Sequence, residues 1–225
     1  MHWQEFEKTK AYDLVAALPL IGFYLWLAWG LGSDLMRPAP GFASDGDRAA
    51  ILLDTVARGL TLAFAALLVA LLIVRSVPVA KSGGIYPRMV ALGGGFASIA
   101  FLALPAQPLP AWLSTISAVL IIAGTAATIY ALGWLGRSFS LLPEARSLVT
   151  TGPYRIVRHP VYLFEQIALL GVMLQYDLPW SSTLFAIQLG LQILRMRYEE
   201  RVLAEAFPEY HAYAARTARL LPGLY

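Results

Sequence analysis

The run Gly152-Pro153-Tyr154-Arg155-Ile156-Val157-Arg158-His159-Pro160-Val161-Tyr162 sets two arginines, a histidine and two tyrosines between hydrophobic stretches. Ionisable side chains at a bilayer are costly, so a dense cluster at a helix entrance marks a site. Proline suits the first turn of a helix, where its missing N–H is no loss. Pro160 therefore opens a helix, and His159 stands at its N-terminal end, where the helix dipole favours negative charge. A carboxylate or phosphate is a natural guest there, and Arg155 and Arg158 strengthen that reading. The same composition equally describes a basic loop touching lipid headgroups.

A second constellation follows. Arg195 and Glu199 are four residues apart and share a helix face, with Glu200 beside them. Exposed, such a pair contributes about 0.3–0.5 kcal/mol. Half-buried, the arginine grips an anionic group and the glutamate a hydroxyl or amine. Glu165 stands on an otherwise apolar helix, as an intramembrane acid or as the partner of an interfacial arginine. Gln166, Gln175, Gln188 and Gln192 read as hydrogen-bonding groups between helices.

The elements that position these residues are hydrophobic. Of 225 residues, 58% are hydrophobic and 14% charged, and the mean hydropathy is +0.62. Ordinary soluble domains are about 45–50% apolar and about 25% charged. The balance argues for an integral membrane protein. The chain has no cysteine, which excludes disulfides, thiolate catalysis and Cys-ligated metals. His2, His159 and His211 are scattered, so no metal site is expected. The net charge of +3 includes no basic run of the kind that binds nucleic acid.

A membrane helix needs about 20 mostly apolar residues. Residues 14–31, 50–77, 89–104 and 111–136 meet that requirement, and 161–176 with 178–194 form a C-terminal helical hairpin. The first run lacks a clear cleavage site and reads as a retained helix. Pro19 lies inside it. Pro38, Pro40 and Gly41 mark the turn after it. Asp54 and Arg58 can pair on one helical face. Gly93-Gly94-Gly95 permits close helix approach in lipid. Trp26, Trp29, Trp112, Trp134 and Trp180 form an aromatic belt near helix ends. Lys and Arg fall in alternate loops: Lys8 and Lys10; Arg75, Lys81 and Arg88; Arg137, Arg146, Arg155 and Arg158; then Arg195 onward. That places both termini and the motif loop on the cytoplasmic face. The expected fold is an all-α, polytopic transmembrane helix bundle of five to six segments with a cytosol-facing pocket. Residues 1–136 are expected to supply about four transmembrane helices, and 137–225 the cofactor-binding and catalytic region.

Leu148-Val149-Thr150-Thr151-Gly152-Pro153-Tyr154-Arg155, Arg158-His159-Pro160-Val161-Tyr162, Arg195-Met196-Arg197-Tyr198-Glu199-Glu200 and Phe207-Pro208-Glu209-Tyr210 with Tyr213 occur in that order. Together they resemble the membrane-embedded isoprenylcysteine carboxyl methyltransferases and the related phospholipid methyltransferases. The resemblance runs from Leu135 onward. It implies an S-adenosyl-L-methionine pocket lined by His159, Pro160, Val161, Tyr162, Tyr154, Arg146, Ser147, Leu148, Val149 and Glu199. It also implies that Arg195 faces the reacting end of the acceptor, with Arg195 and Glu199 catalytic. Arg146 stands where the isoprenylcysteine enzymes often carry a histidine.

The resemblance thus implies a membrane-embedded methyltransferase with a lipophilic acceptor. Carboxyl O-methylation of an isoprenylcysteine-type compound leads, because Arg195 favours an anionic acceptor. The alternative is N-methylation of a phospholipid headgroup, in which Glu199, Glu200 or Tyr162 would take the proton. Two rival classes remain. One is an NADPH-dependent sterol or enone reductase, whose Cys-bearing segment this chain lacks. The other is a non-catalytic membrane scaffold, in which His159 and Glu199 are replaceable.

Overall fold

The computed structural model describes residues 9–36 and 45–223. His2 and Lys8, and the turn with Pro38, Pro40 and Gly41, lie outside the described residues. The fold is all-α. Its helices are α1 (Lys10–Leu35), α2 (Asp45–Val74), α3 (Tyr86–Phe96), α4 (Ala111–Leu135), α5 (Pro160–Met173), α6 (Leu178–Ala206) and the short α7 (Tyr210–Ala214). A 3₁₀ stretch, Ala97–Ala103, continues α3. Among the described residues the sheet is one antiparallel pair, β1 (Ala80–Lys81) with β2 (Glu144–Ala145).

Among the described residues, four stretches are long and apolar enough to cross a membrane: Lys10–Ser33, Arg48–Val74, Tyr86–Ala103 and Ala111–Ser138. Their apolar side chains point mostly outward, as a lipid solvent requires. Trp26, Trp29, Trp112 and Trp180 are all exposed. The hairpin helices are unequal. The 14 residues of α5 extend about 21 Å at 1.5 Å per residue, short of a hydrocarbon core of about 30 Å. The 29 residues of α6 reach about 44 Å by the same rise, longer than that core, and its second half is polar. The turn between them is tied down. Ala106 bridges Tyr176, and the Asp177 N–H donates to Pro105 O at 3.2 Å.

Small residues let the helices meet. At Gly124 of α4 a Cβ would fall 2.4 Å from the Ala168 backbone nitrogen of α5, and at Gly171 one would fall 2.6 Å from Ser117 O. Without attraction of oil for oil inside lipid, such close packing and interhelical hydrogen bonds hold helices together. Ser117 Oγ donates to Gly171 O at 2.8 Å, and Gln175 Nε2 donates to Ser117 Oγ at 3.0 Å. The glycine run of α3 works the same way against α6. A Cβ on Gly94 would sit 3.2 Å from Gln192 Oε1. Gln188 Nε2 donates to Gly94 O at 3.3 Å, and Gln166 Nε2 donates to Gln188 Oε1 at 2.7 Å. The glutamines are therefore interhelical glue. Asp54 and Arg58 pair at 2.7 Å on an exposed face of α2.

Candidate functional site

The start of α5, the polar half of α6 and the loop between α4 and α5 converge on a cavity of about 400 Å³. Tyr154, Arg146, Ser147, Leu148, Val149, His159, Val161, Tyr162, Arg195 and Glu199 all line it. Pro160 is not among the lining residues. It is fully buried as the first residue of α5, so its contribution is to launch the helix. The cavity continues between α1, α2 and α4 along Phe23, Leu27, Phe64, Leu68 and Leu132. One end is thus polar and the other is an apolar arm.

The polar end is held by three linked groups. In the first, Arg195 Nε donates to Glu199 Oε1 at 3.1 Å and Arg195 Nη2 donates to Leu141 O at 2.9 Å. Its guanidinium lies 4.8 Å from the centre of the Tyr162 ring, whose hydroxyl donates to the same Glu199 oxygen. The Tyr162 ring stacks on His159 at 5.4 Å with 9° between planes. Arg195 is 3% exposed, so this is the half-buried version of the i,i+4 pair.

The second group centres on Glu200, which does not line the cavity. His159 Nε2 lies 3.1 Å from Glu200 Oε1, and Arg158 Nε and Arg219 Nη2 bond the same carboxylate at 2.8 and 2.7 Å. Burial raises the Glu200 pKa, but the hydrogen bonds from His159, Arg219 and Arg158 outweigh it and hold the carboxyl well below its ordinary range. The chain beyond α7 then returns along the motif. Val157 bridges Ala218, and the Arg158 and His159 N–H groups donate to Ala218 O and Arg219 O at 2.8 and 3.1 Å. Arg158 Nη1 also donates to Ala214 O and Thr217 O. Arg158 thus clamps the tail through Nε and Nη1 while also lining the cavity. Arg155 is exposed. Tyr154 is itself pinned, accepting from Tyr213 Oη at its carbonyl at 2.6 Å.

The third group brings in α1. Arg146 Nη2 donates to Asp13 Oδ1 at 2.8 Å and to Glu144 Oε2 at 2.7 Å, and Arg75 Nε donates to Asp13 Oδ2 at 2.9 Å. Arg146 Nη1 also reaches Ser76 O. Asp13 pairs locally with Lys10 at 3.7 Å, but its tie to the site strip runs to an arginine 133 residues away and leaves no local signal in the sequence. Arg219 was visible only as one of several positive charges in the tail.

The residues fit a cofactor with an anionic end, a cationic centre and a ring system. Arg146 Nε is buried and without a partner beside the strip it lines. Glu199 supplies negative charge at the polar end, and the volume lies within the about 300–1,000 Å³ usual for ligand sites. Among the described residues no group of three or more His, Asp or Glu side chains is arranged to hold a metal ion.

Residues 111–210 match the family model of phospholipid methyltransferases. The match is confined to that segment. It starts with α4 and ends at the first residue of α7, so it contains every lining residue named above except the arm residues of α1 and α2. The chain is 33% identical over 118 residues to protein-S-isoprenylcysteine O-methyltransferase A of Arabidopsis thaliana, covering 49% of this chain and 60% of that protein. It is 37% identical over 79 residues to the cobalt-zinc-cadmium resistance protein CzcN of Cupriavidus metallidurans, covering 35% of this chain and 37% of that protein. It is 32% identical over 82 residues to the nickel-cobalt-cadmium resistance protein NccN of Alcaligenes xylosoxydans xylosoxydans, covering 36% and 38%. The chain thus spans less than two fifths of the two resistance proteins and three fifths of the plant methyltransferase. Asp13, Arg75 and Arg219, which brace the site, all lie outside the matched segment.

Proposed function

We propose that the protein is an integral membrane methyltransferase that uses S-adenosyl-L-methionine and acts on a lipophilic acceptor. The observation that carries this reading is one cavity with the Arg195–Glu199–Tyr162–His159 group at its polar end and an apolar arm reaching between the membrane helices. In this reading His159, Val161, Tyr162, Tyr154, Arg146, Ser147, Leu148 and Val149 hold the cofactor. Pro160 supports them as the helix start. Residues 1–136 form the helices that wall the arm, and 137–225 form the cofactor-binding and catalytic region. The site and both termini face the cytoplasm, following the distribution of Lys and Arg.

The cofactor supplies an electrophilic methyl group on a sulfonium centre. The chain's own residues align and exclude water. Glu199 is fixed by Arg195 and Tyr162, so its charge is held in one place beside the cationic centre. Arg195 Nη1, the guanidinium nitrogen with no described hydrogen bond, is left to orient an anionic acceptor. A carboxylate is ionised at neutral pH and needs no base, which favours carboxyl O-methylation of an isoprenylcysteine-type compound. The second reading is N-methylation of a phospholipid headgroup. It is favoured by the description of the matched family and would call on Glu199 to take the amine proton.

The test is calorimetric binding of S-adenosylhomocysteine to the detergent-purified protein, with NADPH as the parallel ligand. S-adenosylhomocysteine is expected to bind and NADPH is not. His159→Ala and Glu199→Ala are each expected to weaken that binding by about tenfold or more, the scale of a lost charge-assisted hydrogen bond. Unchanged affinity in both variants would overturn the site assignment.

A further inference from the structure

Three carboxylates line the cavity: Glu144, Glu165 and Glu199. Two of them are matched by cations. Glu144 is bound by Arg146 and by Ser140 Oγ at 2.9 Å, and Glu199 by Arg195 and Tyr162. Glu165 differs. Among the described residues it makes no ion pair, and its one described hydrogen bond comes from Gln192 Nε2 to Oε2 at 2.9 Å. Its other oxygen, Oε1, has no described donor.

Its position gives that oxygen a meaning. Glu165 lies one helical turn beyond Val161 and Tyr162 and one turn before Ala168 and Leu169, and all of these line the cavity. Residues three and four apart on a helix share a face. The carboxyl therefore sits on the border between the polar end and the apolar arm. It is also within electrostatic reach of Arg195. A carboxyl on a membrane helix with one described hydrogen bond is costly, and an apolar side chain would pack there without that penalty. Such a group is relieved when a ligand brings a donor to it.

We infer that Glu165 reads the acceptor by accepting a hydrogen bond from an N–H group at or close to the methyl-accepting atom. The acceptor is then a nitrogen-bearing lipid. Its reacting end meets Arg195 and Glu199, its nitrogen meets Glu165, and its chains fill the arm. The inference rests on the methyltransferase reading for the word acceptor, but the binding preference it describes does not depend on turnover. Two sources offer this chemistry: the amine or amide nitrogen of an S-prenylcysteine, and the ammonium of an ethanolamine headgroup. Sites built to bond an N–H discriminate against analogues that lack it far more sharply than apolar pockets discriminate by size.

The experiment measures equilibrium binding to the full chain in detergent, with S-adenosylhomocysteine present. One arm compares S-farnesylcysteine with S-farnesylthiopropionate, which keeps the thioether, chain and carboxylate but has no nitrogen. The other compares a short-chain phosphatidylethanolamine with the phosphatidylethanol of the same chains. The protein is expected to prefer the nitrogen-bearing member about tenfold in one arm, and that arm names the source. In Glu165→Leu the preference is expected to fall to about twofold or less, with S-adenosylhomocysteine affinity unchanged. Equal binding within both arms would overturn the inference, as would full preference retained in Glu165→Leu. If the leucine variant does not fold, Glu165→Gln keeps the size and one acceptor oxygen. It is expected to lose at least about threefold of the preference, and an unchanged preference overturns the inference. Absence of S-adenosylhomocysteine binding by the unsubstituted protein would sink the methyltransferase reading, while the nitrogen preference and its loss would still be read directly.

Discussion

Asp13 of α1 and Arg146 of the site strip meet in a buried ion pair of 2.8 Å, across 133 residues of chain. Arg75 bonds the same carboxylate at 2.9 Å, so one aspartate separates two guanidinium groups. The strip that follows Arg146 is thereby fastened to the N-terminal helices as well as to its own segment. Removing one partner of a buried pair is costly because it strands the other charge. Asp13→Ala takes the described carboxylate partner from Arg75 and leaves Arg146 with the Glu144 carboxylate alone. It is expected to lower stability by about 3 kcal/mol or more, read by thermal unfolding in detergent. Where the variant remains folded, S-adenosylhomocysteine affinity is expected to fall with it, because Ser147, Leu148 and Val149 lose their anchor. Wild-type affinity in folded Asp13→Ala would show that the strip holds its place without α1.

Glu200 gives the protein an acid-sensitive joint. It carries His159, Arg158 and Arg219 at once, and its pKa is lowered in the folded state. In the unfolded chain the carboxyl has its ordinary value of 4.5. The stability it contributes is therefore complete above that value and is lost as pH falls below it toward the folded pKa. Thermal unfolding midpoints measured from pH 7 to pH 3.5 are expected to hold until about pH 4.5 and then drop. Glu200→Gln is expected to start lower and to show a shallower drop. A slope unchanged by the substitution would assign the acid sensitivity to another carboxylate.

The legible parts of this molecule were those whose partners are close in sequence. Pro160 announces a helix start by itself, and Arg195 with Glu199 announces a shared face through their spacing. The apolar runs foretold the helices because lipid as solvent demands their length. What could not be read was how distant segments pair. Nothing near Arg158 in sequence shows that residues 214–217 return to bond its Nη1. Glu200 looked like a second copy of Glu199, but adjacent residues on a helix point about 100° apart. One therefore faces the cavity and the other the tail. Pro160 was grouped with its neighbours as lining, whereas its place at the first turn buries it against the bundle.

Gly152 is the one residue of the motif whose backbone requires glycine. Its φ is +59°, and a Cβ would lie 2.4 Å from the Trp134 ring. The first effect costs about 1–2 kcal/mol for an L residue, and the second adds a clash with a large ring. Gly152→Ala is expected to destabilise the protein and to displace Tyr154, two residues on. In a double-mutant cycle, Trp134→Ala is expected to recover the steric part of the loss and leave the conformational part. Full recovery in the double variant would mean that the positive φ carries no strain here.

Arg195 separates charge from shape. Its Nε serves Glu199, its Nη2 serves Leu141 O, and its plane lies against Tyr162. A lysine at this position keeps the positive charge but offers a single point of it, without the fork or the flat face. If Arg195 acts only as a counter-charge to Glu199, Arg195→Lys retains most activity. If it orients the acceptor through a fixed guanidinium, turnover falls while cofactor binding survives, because His159 and Tyr162 retain their own supports. The second outcome is expected. The turnover number should fall by about 100-fold, a loss of about 2.7 kcal/mol in transition-state stabilisation, with S-adenosylhomocysteine affinity within about threefold of the unsubstituted protein. Calorimetry and labelled methyl transfer on the same preparation separate the two. Equal losses in binding and turnover would instead make Arg195 a brace for Glu199 and remove it from the reacting end.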